Sequence, residues 1–185
     1  MEERERKLIL DQLDASHQRL LDLVDGLTAE QWAFRPGEGR WSIGECLEHV
    51  VLVESRLTGR IEKKLEEAPE PEKKESVAGK DEIVARLVPD RSNRFQAPEP
   101  ARPTAQWPDP DELVAQFIAT RARTRRFVAD TQEDLRSYFM PHPVMGDLDC
   151  YQWLLAASLH GERHARQIDE IKAADAFPKG ELTVS

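Results

Sequence analysis

The sequence predicts an all-α protein, a four-helix bundle with a long, proline-rich crossover between the second and third helices. Three observations carry that prediction. Four stretches repeat apolar residues at helical spacing, each of the last three opens on a capping residue, and no stretch alternates convincingly as a half-buried strand would. Residues 1–185 read as a single domain, long enough to bury a core.

The first helix is expected over about residues 2–25, with Gly26 as a left-handed stop. Leu10, Leu13, Leu20, Leu21 and Val24 share one arc of its wheel, and His17 sits in the middle. Thr28 and Gln31 have capping-box spacing, so TAEQW is expected to add a short turn before RPGEGR breaks the chain. Ser42 and Glu45 form a second box and open a helix over 42–67. Its stripe contains Ile43, Leu47, Val50, Leu57, Ile61 and Leu65; His49 lies at the edge, beside Cys46 and Val53, where a site open to solvent on one side would want it. From 68 to 109 the pattern dissolves. PEKKE reads as a solvated loop, DEIVARLV as a short helix, and the whole as one crossover wrapped on the bundle. Asp109 and Pro110 then start a third helix over 110–130, with Leu113, Phe117, Phe127 and Val128 inward. MPHPVMGDLD reads as a loop, and Asp149 caps a fourth helix over 150–174.

Composition narrows the function. A net charge of −9 repels a phosphate backbone, and no basic run interleaves with aromatics, so no nucleic-acid partner is expected. The longest apolar runs, VVLV and WLLAA, are too short to span a bilayer, so no membrane association is expected either. Cys46 and Cys150 form no CxxC pair, and the charged start MEERERKLIL has no signal-peptide core; the expected setting is the reducing cytoplasm.

The chemistry concentrates in SLHGERHARQI. On the last helix Trp153, Ala157, His160, His164, Ile168 and Ile171 share one arc, so two imidazoles face the interior one turn apart. Residues at that spacing have Cβ atoms roughly 5–6 Å apart, which lets both rings reach one point. Alone, the pair fits metal ligands or hydrogen-bonded core residues equally well. It is not the HExxH of zinc proteases, because Gly161 stands where the glutamate would be. His49, on another inward-leaning helix, offers a third donor and tilts the reading toward metal.

Through WSIGECLEHVVLVE and HPVMGDLDCYQWLLAASLHGERHARQI, the chain resembles the DinB-like (damage-inducible) family of four-helix-bundle proteins over nearly its whole length. The most specific parts are W-S-I-x-E-x-L-x-H, from Trp41 to His49, and H-P-x-x-G followed by H-x-x-R-H-x-x-Q-I, ending at Ile168. The resemblance implies a divalent metal, zinc or nickel, on His49, His160 and His164. It also implies thiol-transferase, isomerase or hydrolase chemistry on a small-molecule substrate, a low-molecular-weight thiol such as bacillithiol or mycothiol as cosubstrate, and a homodimer. Many relatives carry a glutamate directly after the first histidine of the last helix, where this chain has Gly161.

Three neutral imidazoles leave a coordination position open, the arrangement of catalytic rather than structural zinc, with Trp41, Trp153 and the crossover as a dry wall. Around them, His17 reads first as a core histidine and then as a neighbour of the site or a fourth ligand. Cys46 reads as a small buried hydrophobe before a thiolate ligand. Glu45 reads as a capping residue before a base, His142 as the residue fixing the loop before the last helix, and Gln167 as a hydrogen-bonding neighbour of the site or a packing residue. Two rivals to a metal-dependent enzyme remain: a non-catalytic bundle that binds a small ligand or a protein, with a structural metal or none, and a bundle whose histidines only pack.

Overall fold

The computed structural model describes residues 1–92 and 96–179. Four long helices dominate it: α1 (Glu3–Val24), α3 (Ile43–Lys64), α5 (Pro110–Asp130) and α6 (Cys150–Lys172). Each predicted start is where the capping chemistry places it. The Ser42 hydroxyl accepts from the Glu45 N–H at 3.2 Å, and the Glu45 carboxylate accepts in return from the Ser42 N–H at 2.8 Å. Asp149 and Gln152 do the same at the head of α6, and Thr28 with Gln31 caps the short α2 (Ala29–Ala33). These reciprocal bonds satisfy donors that the first turn leaves unpaired.

Around the bundle the order is α1, α6, α3, α5 and back to α1, so the consecutive long helices α1 and α3 lie across a diagonal. Helix α6 is therefore wedged between α1 and α3. The crossover contains α4 (Lys80–Leu87), which packs on α6 where DEIVARLV was expected to be helical. Arg136 binds Glu5 of α1, Asp81 of α4 and the α6 cap Asp149, so one guanidinium ties crossover and bundle together.

Three expectations need correction. PEKKE is not plain loop: residues Pro71–Val77 wind into 3-10 turns, exposed except for Val77, which is buried against the bundle. MPHPVMGDLD contains an antiparallel hairpin, β1 (Phe139–His142) with β2 (Gly146–Asp149), Met140 opposite Leu148. Pro141 argues against a strand in a sheet interior, but a two-stranded ribbon consists only of edges, where a missing N–H is tolerated. On α1 the deeply buried residues are Ile9, Leu13, Ser16, Leu20 and Val24; Ile9 takes the core position expected of Leu10.

The apolar core falls into two clusters. One gathers Leu13, Leu57, Ile61, Val128 and Leu154; the other gathers Leu20, Cys46, Leu47, Phe117 and Ile168. A fully buried Leu or Ile contributes about 1.5–3 kcal/mol, so both clusters hold the helices firmly. Between them every long helix turns a polar side chain inward: Ser16, Glu54 and Thr58, Arg121 and Thr124, His160 and His164. This polar belt is where the candidate site lies. No helix among the described residues is long and apolar enough to cross a membrane.

Candidate metal centre

His49 comes from α3, and His160 and His164 come from successive turns of α6. The wedged position of α6 brings the three rings together, with centroids 5.0 Å apart for His49 and His160, 4.8 Å for His49 and His164, and 4.4 Å for His160 and His164. Each offers a nitrogen within 4.8 Å of the others, and among the described residues no second such cluster of His, Cys, Asp or Glu occurs. The Nε2 atoms of His160 and His164 stand 3.1 Å apart. Two nitrogens bound at about 2.0–2.1 Å to one ion are separated by about 3 Å, so this pair already has a ligand spacing.

The tautomer of His49 is set by the crossover. Its Nδ1 lies 2.6 Å from the carbonyl oxygen of Ala101, and because a carbonyl only accepts, Nδ1 carries the proton. Nε2 is then left with its lone pair, the state a metal ligand requires. His164 Nδ1 is buried without a hydrogen-bond partner.

Burial also keeps the cluster neutral. Desolvation holds His160 and His164 well below the ordinary histidine range, reinforced for both by the neighbouring rings and by Arg163. His49 is lowered by the same desolvation, with Arg163 adding and the Ala101 hydrogen bond opposing. Neutral imidazoles with free lone pairs are the form that binds borderline cations. Trp41 covers the cluster, its ring 4.8 Å from that of His49 and stacked 6.2 Å from that of His164. Trp153 does not share this role: it lies in the other core cluster, donating its N–H to the Met140 carbonyl. His49, expected at an open rim, is only 6% exposed because the crossover lies over it.

The other candidates stand apart. His17 stacks on Phe117 at 5.3 Å and is lowered by burial and by Arg121, with Glu54 opposing; it does not join the three-ring cluster. Cys46 is fully buried among apolar side chains, which raises its thiol far above the usual range. Glu45 is paired with Arg35 and caps α3. The Gln167 side-chain oxygen accepts from Arg91 at 3.0 Å. His142 Nδ1 accepts the N–H groups of Val144 and Met145, fixing the hairpin turn before α6.

Two features escaped the sequence reading. Arg121, 1% exposed, is paired with Glu54, 3% exposed, at 3.0 Å, and it also donates to the Ser16 hydroxyl and the Leu13 carbonyl. A signal existed, since Arg121 follows Phe117 by four on the inner arc and Glu54 sits within the α3 stripe. The second feature is Glu48, equally buried beside His49 and bonded to the crossover backbone.

Comparison with known proteins agrees with this architecture. YuaE of Bacillus subtilis (strain 168), an uncharacterized protein, is 25% identical over 149 residues, which span 80% of this chain and 88% of that one. Among solved structures, YfiT from Bacillus subtilis, described as a probable metal-dependent hydrolase with an unusual four-helix bundle topology, is similar with a TM-score of 0.54. That likeness covers 93% of this chain and 88% of YfiT, at 12% identity, and speaks for the fold alone. The DinB superfamily model matches residues 12–168, a span that includes all three clustered histidines. With most of its sequence covered by that model, the chain belongs to the DinB superfamily.

Proposed function

We propose that the protein is a metal-dependent enzyme in which His49, His160 and His164 hold one divalent cation, zinc or nickel, and a water or thiol nucleophile is activated against a small-molecule electrophile. The carrying observation is the convergence of three neutral rings, two with Nε2 atoms 3.1 Å apart and the third fixed in its ligand-ready tautomer. An all-nitrogen donor set suits these two ions, and three ligands leave a position for a reactant. The description of YfiT as a probable metal-dependent hydrolase supports the same class of chemistry.

When bound, the cation supplies Lewis acidity, which makes water or a thiol acidic enough to serve as an anion near neutral pH. The protein supplies position and dryness. The Ala101 carbonyl orients His49, the α6 backbone sets His160 and His164 one turn apart, and Trp41 with the crossover keeps solvent from His49 and His164. No carboxylate at position 161 serves as a base, because that residue is glycine. With no side-chain base assigned, the proton leaving the water or thiol passes to solvent on the side of His160, the one residue of the three that is partly exposed.

Elemental analysis of purified protein tests the ligand set. The wild type is expected to carry about one zinc or nickel per chain, and the His49→Ala/His160→Ala/His164→Ala variant to carry almost none. Equal metal in both would refute the assignment. A screen of the metal-loaded protein against activated esters, and against alkylating electrophiles with bacillithiol, mycothiol or glutathione, then separates hydrolysis from thiol transfer. Turnover of neither class would remove the catalytic part of the reading.

A further inference from the structure

We infer that Glu48 is a positioning residue for the histidine cluster: its carboxylate fixes the crossover so that the Ala101 carbonyl keeps His49 in the tautomer that leaves Nε2 free. The inference rests on the metal-centre reading for one of its two readouts.

Glu48 is 3% exposed, and its partners explain why a carboxylate is retained there. Its two oxygens accept three consecutive backbone N–H groups of the crossover, Thr104 at 3.0 Å, Ala105 at 3.1 Å and Gln106 at 3.1 Å. Successive N–H groups turned to one side form a concavity that favours an anion, and here the anion is a side chain of α3. Ala105 pays for that arrangement with φ of +56°, the only left-handed non-glycine residue among those described. Such a conformation is strained for an alanine and persists where its surroundings over-determine it. The Glu48 carboxylate is what does so.

The next residue along α3 grips the same segment at its other end, since His49 Nδ1 donates to Ala101. Between the two grips lie Arg102 and Pro103. Proline fixes its own φ and restricts the residue before it, so little slack separates the Glu48 anchor from the Ala101 carbonyl. The short 3-10 turn Glu99–Ala101 completes the connection, with Ala101 itself buried. Glu48 thus acts on the site through the crossover, with no contact of its own to a reacting group.

Glu48→Gln tests this. The amide keeps the size of the side chain but turns an NH2 group toward donors that need an acceptor. Two quantities are read on folded protein, with folding checked by circular dichroism. In the metal-free state, nitrogen-15 spectra of the histidine rings report the His49 tautomer, which is expected to pass from a single Nδ1–H form to a mixture. In zinc and nickel titrations against a chromophoric chelator, affinity is expected to fall about 10-fold or more, the scale of losing a residue that orients a ligand. If the Gln variant fails to fold, Glu48→Asp, which keeps the charge and withdraws its reach, is read in the same two ways.

The failures are distinguishable. A wild type that binds neither ion removes the metal reading, while the tautomer shift still decides the role of Glu48. A folded variant with an unchanged tautomer and unchanged zinc and nickel affinity overturns the positioning role and leaves the metal reading standing.

Discussion

At position 161 the distance between α1 and α6 leaves no room for a side chain. A Cβ there would stand 2.9 Å from Ser16 Oγ, 3.0 Å from Ser16 Cβ and 3.3 Å from Arg121 Nη2. A glutamate at this position, which the family resemblance implies for many relatives, therefore has no place in this chain; the polar belt has a buried carboxylate at Glu54. Gly161→Ala is expected to destabilise. Overpacking costs about 1–3 kcal/mol and outweighs the roughly 1 kcal/mol that alanine gains over glycine inside a helix. A urea midpoint that falls at constant m-value would show this, whereas a raised midpoint would show that α1 yields freely. The histidines themselves were legible because spacing alone turns His160 and His164 to one face. Glu48 was not, since a charged residue beside a ligand reads as solvated until the segment that buries it is located.

Helix α5 illustrates what periodicity hides at the scale of an element. Leu113, Phe117 and Val128 marked its inner face correctly, yet the same face carries Arg121 and Thr124, both buried. Hydrophobic patterning assigns charge to the outside, so the inner-arc position of Arg121 gains meaning only once its partners, Glu54, Ser16 and the Leu13 carbonyl, are placed on two other helices. Arg121→Met should lower stability by roughly 3–5 kcal/mol by stranding the Glu54 carboxylate, and adding Glu54→Gln should recover much of the loss. Thermal denaturation of the two variants measures it; equal melting temperatures in the single and double variants would mean the pair is not coupled. The hairpin was illegible for a related reason. Pro141 and Pro143 argue for loop, and the His142 ring that gathers the turn N–H groups leaves no periodic trace.

For the whole molecule, the sequence indicated four inward faces but not which helices are neighbours, because an apolar stripe does not name the stripe it meets. The diagonal placement of α1 and α3 became visible only with the fold. The folded molecule also has a collective property in its histidines. Burial lowers all five histidines from the ordinary histidine pKa of about 6.5. Below about that pH the unfolded chain binds more protons than the native one, so stability is fully present above it and is lost as pH falls toward the native values. Urea unfolding of metal-free protein at pH 7.5 and 5.5 should show a drop of up to about 1.4 kcal/mol per pH unit for each ring fully in that window. A flat profile would mean the rings are solvated. The wedging of α6 between α1 and α3 has one more consequence, in the order of biosynthesis. A chain emerging from the ribosome presents His49 long before His160 and His164 exist, so nothing resembling the cluster can assemble until the last long helix docks. In the metal-dependent reading proposed above, capture of an ion therefore follows the docking of α6.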